Sequence, residues 1–256
     1  MITRTRTHTA ATLAITGLIA LTAACSGQTV ADEPAPPTLD PDAGIGQVLL
    51  LGDSVAAGEA LPLREAFAAA GVPFESRAAT GGGNVVGPGS EERWGELPGE
   101  IAAADPEIVI YQLTSYDWGT RAEQQAGYER LVATVAEVGA DLLFVTMPPI
   151  EPDDFYAPHM DELERADDVA AEVAEASGGD AVLLDAQAVW SPTYQREREG
   201  TLDRSSDGIH TCPQGAARFT AWLLDELAAA YPGFTPPDPA QWANTGWASA
   251  EDFPGC

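Results

Sequence analysis

Two short motifs near opposite ends of the chain carry residue types that could act together in nucleophilic catalysis. A Gly-Asp-Ser turn ending at Ser54 follows an apolar run, and His210 lies three residues after Asp207. A serine hydroxyl becomes a good nucleophile only when a base removes its proton, and a carboxylate commonly orients that base. Glycine, aspartate and serine are also ordinary turn formers, so the first motif is weak by itself. Together, the two motifs predict a catalytic triad of Ser54, His210 and Asp207.

The elements that must position these residues can be inferred from hydrophobic periodicity. Short apolar or mixed runs that suit buried strands alternate with longer stretches rich in Ala and Glu that suit helices. The predicted strands are 47–51, 74–77, 108–113, 142–146 and 182–184, and the predicted helices are 56–70, 97–104, 124–138, 163–176 and 214–230. This alternation predicts an α/β fold: a three-layer α/β/α sandwich around a five-stranded, mainly parallel, flavodoxin-like sheet. Ser54 would then lie at the carboxyl edge of the sheet, where such folds bind ligands.

The first residues have the features of an export signal. Basic residues precede a short apolar stretch, and Cys25 follows small residues, as in a bacterial lipoprotein processing site. We therefore expect a signal peptide over 1–24, an acylated Cys25 that anchors the protein to a membrane, and a Pro- and Asp-rich tether over 25–45. An ordinary secretory signal with an incidental cysteine is the alternative. The predicted catalytic domain covers 46–256, and we expect the protein to be in the cell envelope or secreted.

Composition excludes one class of partner. The chain has 12 basic and 40 acidic residues, a net charge of −28. A surface so acidic is unsuited to phosphate backbones, so we expect no nucleic-acid partner. The same acidity indicates no particular substrate, because it could serve only solubility.

The position of Ser54 after the first strand, with Asp207 and His210 just before the last helix, resembles the SGNH (GDSL-type) serine esterases and acyltransferases. The run from His210 through Pro213 into the last helix is also similar to that family. The resemblance covers essentially the whole predicted domain but rests on few residues. It implies that Ser54 is the nucleophile and that Asp207 and His210 complete the triad.

The resemblance also implies an oxyanion hole, and here the chain departs from the family. A glycine after the second strand normally donates its N–H, and Gly81, or else Gly82, occupies that place. The family's asparagine after the third strand is replaced by Tyr116. The backbone N–H groups of Ser54 and Gly81 would then hold the oxyanion, with Asn84 or Tyr116 as further candidate donors. Packing or loop capping is the alternative role of those two side chains.

The remaining candidate sites are structural. His159 lies among aspartates, but its spacing fits no zinc pattern, so we expect no metal and no cofactor. If Cys25 is acylated, Cys212 and Cys256 are the remaining cysteines, and export would favour a disulfide between them. A buried free Cys212 with a frayed terminus is the alternative.

These expectations converge on an exported serine esterase that acts on short-chain acyl esters of small molecules or envelope carbohydrate. Transfer of the acyl group to a glycan hydroxyl is an alternative outcome of the same acyl enzyme. A glycan-binding module that has kept the fold but lost turnover is the alternative from a different class.

Overall fold

The computed structural model describes residues 44–256. Its elements are strand β1 (Val48–Leu51), helix α1 (Ser54–Ala70), β2 (Phe74–Ser76), α2 (Ser90–Ala104), β3 (Ile108–Gln112), α3 (Arg121–Ala136), β4 (Asp141–Val145), α4 (Met160–Ala176), β5 (Ala181–Leu184), the short α5 (Gln187–Trp190), a hairpin of β6 (Glu197–Arg198) and β7 (Thr201–Leu202), and α6 (Pro213–Ala230). The predicted signal peptide, residues 25–43 of the tether, and Cys25 lie outside the described residues.

The five main strands form one sheet in the order β2-β1-β3-β4-β5, with every neighbouring pair parallel. This is the flavodoxin-like order, in which β2 lies on one side of β1 and the later strands are added on the other side. The carboxyl end of β1 leads directly into the turn that carries Ser54. The fold therefore places this serine at the switch point of the sheet.

Helices cover both faces because alternate residues of the central strands point to opposite sides and are mostly apolar. On one face, Val48 and Leu50 pack with Phe67 of α1 and Phe219 of α6. On the other face, residues of β1, β3 and β4 pack against α2, α3 and α4. The predicted three-layer α/β/α architecture is confirmed.

The main difference between prediction and structure is the start of α2. The sequence predicted a helix from 97, but α2 begins at Ser90. Gly95, Pro98 and Gly99 obscured the helical pattern, because Gly and Pro are poor helix formers. Packing against the sheet overrides that propensity: Trp94, Leu97 and Ile101 are buried at helical spacing.

Three features were absent from the predictions. The short helix α5 and the β6–β7 hairpin lie between β5 and the loop that carries Asp207. Ile45, placed by the prediction at the end of the tether, is already buried in the core.

Within residues 44–256, no helix is long and apolar enough to cross a membrane.

Candidate active site

Ser54 is the first residue of α1, and Asp53 caps that helix by accepting a hydrogen bond from the Val55 N–H at 2.9 Å. The turn into the helix requires a glycine at position 52. Gly52 has a φ of +149°, and a Cβ there would lie 2.7 Å from the Cβ of Ala56. This tight turn exposes the Ser54 side chain at the edge of the sheet while both neighbours, Asp53 and Val55, remain buried.

The loop before α6 brings His210 and Asp207 to Ser54. His210 Nε2 lies 2.8 Å from Ser54 Oγ, and His210 Nδ1 lies 2.8 Å from Asp207 Oδ2. The other oxygen of Asp207 accepts hydrogen bonds from the backbone N–H groups of Ile209 and His210, at 2.8 and 3.0 Å. The structure therefore brings together, as one hydrogen-bonded chain, three residues that sequence reasoning had placed in a triad.

Asp207 is held in its ionised form. Partial burial raises its pKa, but the hydrogen bonds from Ile209 and His210 and the nearby imidazole outweigh that effect, so the pKa lies below its ordinary value. An ionised carboxylate on Nδ1 fixes the imidazole in the tautomer that leaves Nε2 free to accept the serine proton.

The same loop is fixed by Gly208 and Arg204. Gly208 has a φ of +80°, and a Cβ there would lie 2.6 Å from the carbonyl oxygen of Glu151. Arg204 is only 2% exposed, and its guanidinium donates to the carbonyls of Pro149 at 2.6 Å and Ile209 at 2.5 Å. Arg204 thus links the loop after β4 to the peptide next to His210. Sequence reasoning missed this residue, since a single arginine carries no local signal of burial.

The residue before Ser54, Asp53, is a buried acid. Ser115 donates its N–H and its hydroxyl to Asp53 Oδ2, at 2.8 and 2.7 Å. Burial raises the pKa of Asp53, and the hydrogen bonds from Ser115 and Val55 oppose that rise. These contacts join the turn that carries Ser54 to the loop after β3.

The oxyanion candidates differ in their surroundings. The backbone N–H of Ser54 lies at the N-terminus of α1, where the helix dipole favours negative charge. Gly81 and Gly82 have φ values of +79° and +158°, and a Cβ at either would meet no atom within 4 Å. These two glycines are thus open on that side, which leaves room for a ligand to approach the backbone.

Gly83, which sequence reasoning did not single out, packs directly against the turn that carries Ser54. A Cβ at Gly83 would lie 2.1 Å from the carbonyl oxygen of Gly52. No side chain fits at position 83 without moving the Ser54 turn. Packing therefore requires a glycine at position 83, the third of the three consecutive glycines.

Asn84 does not fit the role of an oxyanion donor. It is 2% exposed, and its amide nitrogen donates to the carbonyls of both Val86 and Pro88. Both amide hydrogens are therefore used within its own loop. The structural alternative, loop capping, is the one that its hydrogen bonds support.

The loop after β3 is built around Asp117. Asp117 is fully buried and accepts hydrogen bonds from the Tyr111 hydroxyl at 2.8 Å and the Thr114 N–H at 2.9 Å. Burial raises its pKa to about 7. This turn presents Tyr116 where the family resemblance places an asparagine, and the Tyr116 ring packs 5.6 Å from Trp118 and 6.2 Å from Phe155.

His159 is held by aromatic and acidic neighbours. Its ring stacks on Trp118 with centroids 3.8 Å apart, and its Nδ1 lies 3.4 Å from Glu162. Within residues 44–256 no group of three or more His, Cys, Asp and Glu side chains could hold a metal ion.

A cavity of about 590 Å³ lies beside Trp118, between the loop after β2 and helices α2 and α3. Trp94 and Arg130 also line it, and the Arg130 guanidinium lies 4.1 Å above the Trp94 ring. None of the three triad residues contributes to its wall. The site at Ser54 is therefore separate from this cavity.

The predicted disulfide is present: Cys212 is bonded to Cys256, 44 residues later. It brings the C-terminal tail against the triad loop. The Ser206 N–H donates to Gly255 O at 3.0 Å, and the Ser205 hydroxyl donates to Pro254 O at 2.7 Å. The two residues before Asp207 are thus held by the tail.

No protein-family model matches the sequence, and comparison with curated proteins found no match. Solved structures do match. A catalytic mutant of Axe2, an acetylxylan esterase from Geobacillus stearothermophilus, has a TM-score of 0.53 and 14% identity, with 73% of this chain and 96% of that chain covered. TesA has a TM-score of 0.51 and 18% identity, with 72% and 98% covered. A GDSL-like lipase from Bacteroides thetaiotaomicron has a TM-score of 0.50 and 13% identity, with 72% and 88% covered.

The chain has the SGNH hydrolase fold. At these identities the similarity concerns the fold, and roles within the site must be argued from its own geometry.

Proposed function

We propose that this protein is a serine esterase in which Ser54 is the nucleophile, His210 the general base and Asp207 the residue that orients the base. The observation that carries the proposal is the unbroken chain from Ser54 Oγ to His210 Nε2 and from His210 Nδ1 to Asp207 Oδ2, with 2.8 Å at each link. Such distances allow proton transfer without rearrangement. The SGNH fold and the esterases among its structural neighbours support the same chemistry.

The reaction follows from this geometry. His210 Nε2 takes the proton of Ser54 as Oγ attacks the ester carbonyl, and the imidazolium then protonates the departing alcohol. Water, deprotonated by the same nitrogen, attacks the acyl enzyme, and the acid leaves as Ser54 regains its proton. Asp207 stays ionised throughout and stabilises the imidazolium.

The developing oxyanion would be held by backbone N–H groups. Ser54 at the start of α1 and Gly81 in the loop after β2 are the proposed donors. The usual asparagine side chain is replaced by Tyr116, and one missing donor can lower kcat by about 10²–10³-fold. We therefore expect a modest turnover number.

The substrate class is a short-chain acyl ester, and an ester on envelope carbohydrate is the preferred candidate. The predicted export signal and lipid-anchored Cys25 support an envelope location, and the acetylxylan esterase among the structural neighbours supports a carbohydrate ester. The loss of the asparagine favours one second candidate, a glycan-binding module without turnover.

Fluorophosphonate labelling and p-nitrophenyl acetate hydrolysis distinguish these two candidates, because only an activated serine reacts quickly with the phosphonate. We expect the wild type to be labelled, and Ser54→Ala and His210→Ala each to lose nearly all hydrolysis. Their effects should be non-additive, since nucleophile and base act as a unit. Ser206→Ala, on the same loop as His210, is the matched control and should keep wild-type rates. Wild-type hydrolysis by Ser54→Ala would refute the assignment, and an unlabelled wild type would favour the binding module.

A further inference from the structure

Four aromatic rings form a continuous surface on the loops after β3 and β4. We call Tyr116, Trp118, Phe155 and Tyr156 the aromatic surface. Phe155 is the centre of this group: its ring centroid lies 5.0 Å from that of Tyr156, 5.4 Å from that of Trp118 and 6.2 Å from that of Tyr116. All three pairs have steep interplanar angles of 61° to 85°, the edge-to-face arrangement that aromatic rings favour.

The aromatic surface packs against residues that flank two members of the triad. Its buried members belong to one apolar cluster with Val55 and Ile209, the residues next to Ser54 and His210. The Tyr156 hydroxyl also lies 3.4 Å from the hydroxyl of Ser115, which in turn donates to the residue before the nucleophile. An ester bound with its carbonyl at Ser54 would thus have part of its body within reach of these rings.

Exposure within the surface is uneven. Trp118 and Tyr156 are each 9% exposed, Tyr116 is half-buried, and Phe155 is 53% exposed. Among the described residues the other large hydrophobic side chain with comparable exposure is Val182, at 49%, on β5. Phe155 is therefore supported from below by packed rings while its own ring remains open to solvent. A fixed, open ring can bind an apolar face of a ligand with little loss of side-chain entropy.

The loop that carries Phe155 is acidic. Residues 147–164 contain six acidic residues and no Lys or Arg. Glu151, Asp153 and Asp154, which precede Phe155, are all exposed. The nearest cation of the triad loop, Arg204, is buried and its guanidinium is occupied by backbone carbonyls. Arg165 follows this stretch, but its guanidinium donates to Gln124 and to the Gly119 carbonyl beside Trp118. An anionic group over Phe155 would therefore meet the neighbouring carboxylates of Asp153 and Asp154.

We propose that the aromatic surface is a substrate subsite that receives an uncharged ring of the ester and that its acidic rim excludes anionic substrates. This inference rests on the proposed esterase activity and adds to it a class of substrate. The ring lies on Phe155, with Tyr116 at its edge, while the carbonyl is held at Ser54.

Three acetate esters test the ring and the charge separately: phenyl acetate, 4-acetoxybenzoate and ethyl acetate. Each is assayed by pH-stat at low ionic strength with wild type, Phe155→Ala and Asp154→Asn, and with Val182→Ala as the matched exposed-hydrophobic control. We expect Phe155→Ala to lower kcat/KM for phenyl acetate about tenfold and to leave ethyl acetate unchanged. Asp154→Asn should raise kcat/KM for 4-acetoxybenzoate severalfold at low salt, and added salt should remove that gain. Val182→Ala should match the wild type on all three.

The inference is overturned if Phe155→Ala affects phenyl acetate and ethyl acetate equally, or affects neither. Either result would leave the esterase proposal intact. If the wild type neither hydrolyses these esters nor reacts with the fluorophosphonate, the esterase proposal fails. Binding of benzyl alcohol, measured by saturation-transfer NMR, then decides on the subsite. Binding by the wild type that is lost in Phe155→Ala supports the subsite. Equal binding by the two proteins, or no binding by the wild type, overturns it.

Discussion

Removing the Cys212–Cys256 disulfide should lower both the free energy of unfolding and the activity, for separate reasons. The bond closes a loop with a sequence separation of 44 residues. In the chain-entropy treatment, closing a loop of about 45 residues removes about 13 cal/mol/K from the unfolded chain, or about 4 kcal/mol at 25 °C. For a domain of this size that corresponds to a fall in Tm of roughly 8–16 °C.

Cys256→Ser is the suitable variant, because Cys256 is exposed whereas Cys212 is 1% exposed and its replacement would also disturb the core. Urea unfolding and calorimetry measure the stability. Wild type treated with dithiothreitol is the control, and it should reproduce the variant. Serine at 256 keeps the size of the side chain, so the comparison isolates the covalent link.

Activity should fall more than stability alone requires. The tail residues Pro254 and Gly255 hold Ser205 and Ser206 by hydrogen bonds, immediately before Asp207. Freeing the tail lets this loop move, so kcat should fall several-fold at temperatures where the variant is fully folded, with a smaller change in KM. A loss of less than about 1 kcal/mol, or unchanged kcat in the folded variant, would refute this reasoning.

Four further substitutions test the site and the core around it. Asp207→Asn should lower kcat by about 10³–10⁴-fold with the fold intact, because the imidazole loses its orienting carboxylate; a loss under tenfold would contradict that role. Arg204→Met should destabilise the fold by at least about 3 kcal/mol, since it leaves the carbonyls of Pro149 and Ile209 without charged donors, and Arg204→Lys should recover part of the loss in urea unfolding. Glu59 is a buried residue of α1 that accepts a hydrogen bond from the Gln112 amide. Burial raises its pKa well above the ordinary value, so the folded state keeps its proton over a pH range in which the unfolded chain has lost it. Stability therefore falls by about 1.4 kcal/mol per pH unit as the pH rises from the unfolded to the folded pKa. Glu59→Gln should therefore be more stable than wild type at pH 7 and not at pH 4, and equal stability curves would show that the fold does not raise the pKa of Glu59.

The elements that carry the site could be predicted because their signals are local. The apolar run before Ser54 and the alternation of strands with helices reflect burial on both faces of a parallel sheet, which constrains every residue of a strand. Asp207 and His210 were recognisable because they are three residues apart and precede a helix that begins at a proline. The helix at Ser90 was placed too late because packing of Trp94 outweighs the low propensity of the Gly and Pro residues around it.

By itself, the sequence indicated the α/β class, the five main strands, the candidate triad and, on the assumption that Cys25 is acylated, the pairing of Cys212 with Cys256. Only the tertiary structure decided that Gly83 abuts the turn that carries Ser54 and that the Asn84 amide is used within its own loop. It also decided that Arg204 is buried beside His210 and that Phe155 completes a surface with Tyr116. The physical reason is the distance along the chain between partners. Gly83 contacts Gly52, and Arg204 donates to Pro149, although the members of each pair are far apart in sequence. Hydrophobic periodicity gives no signal over such separations, so each contact forms only once the sheet has brought its loops together.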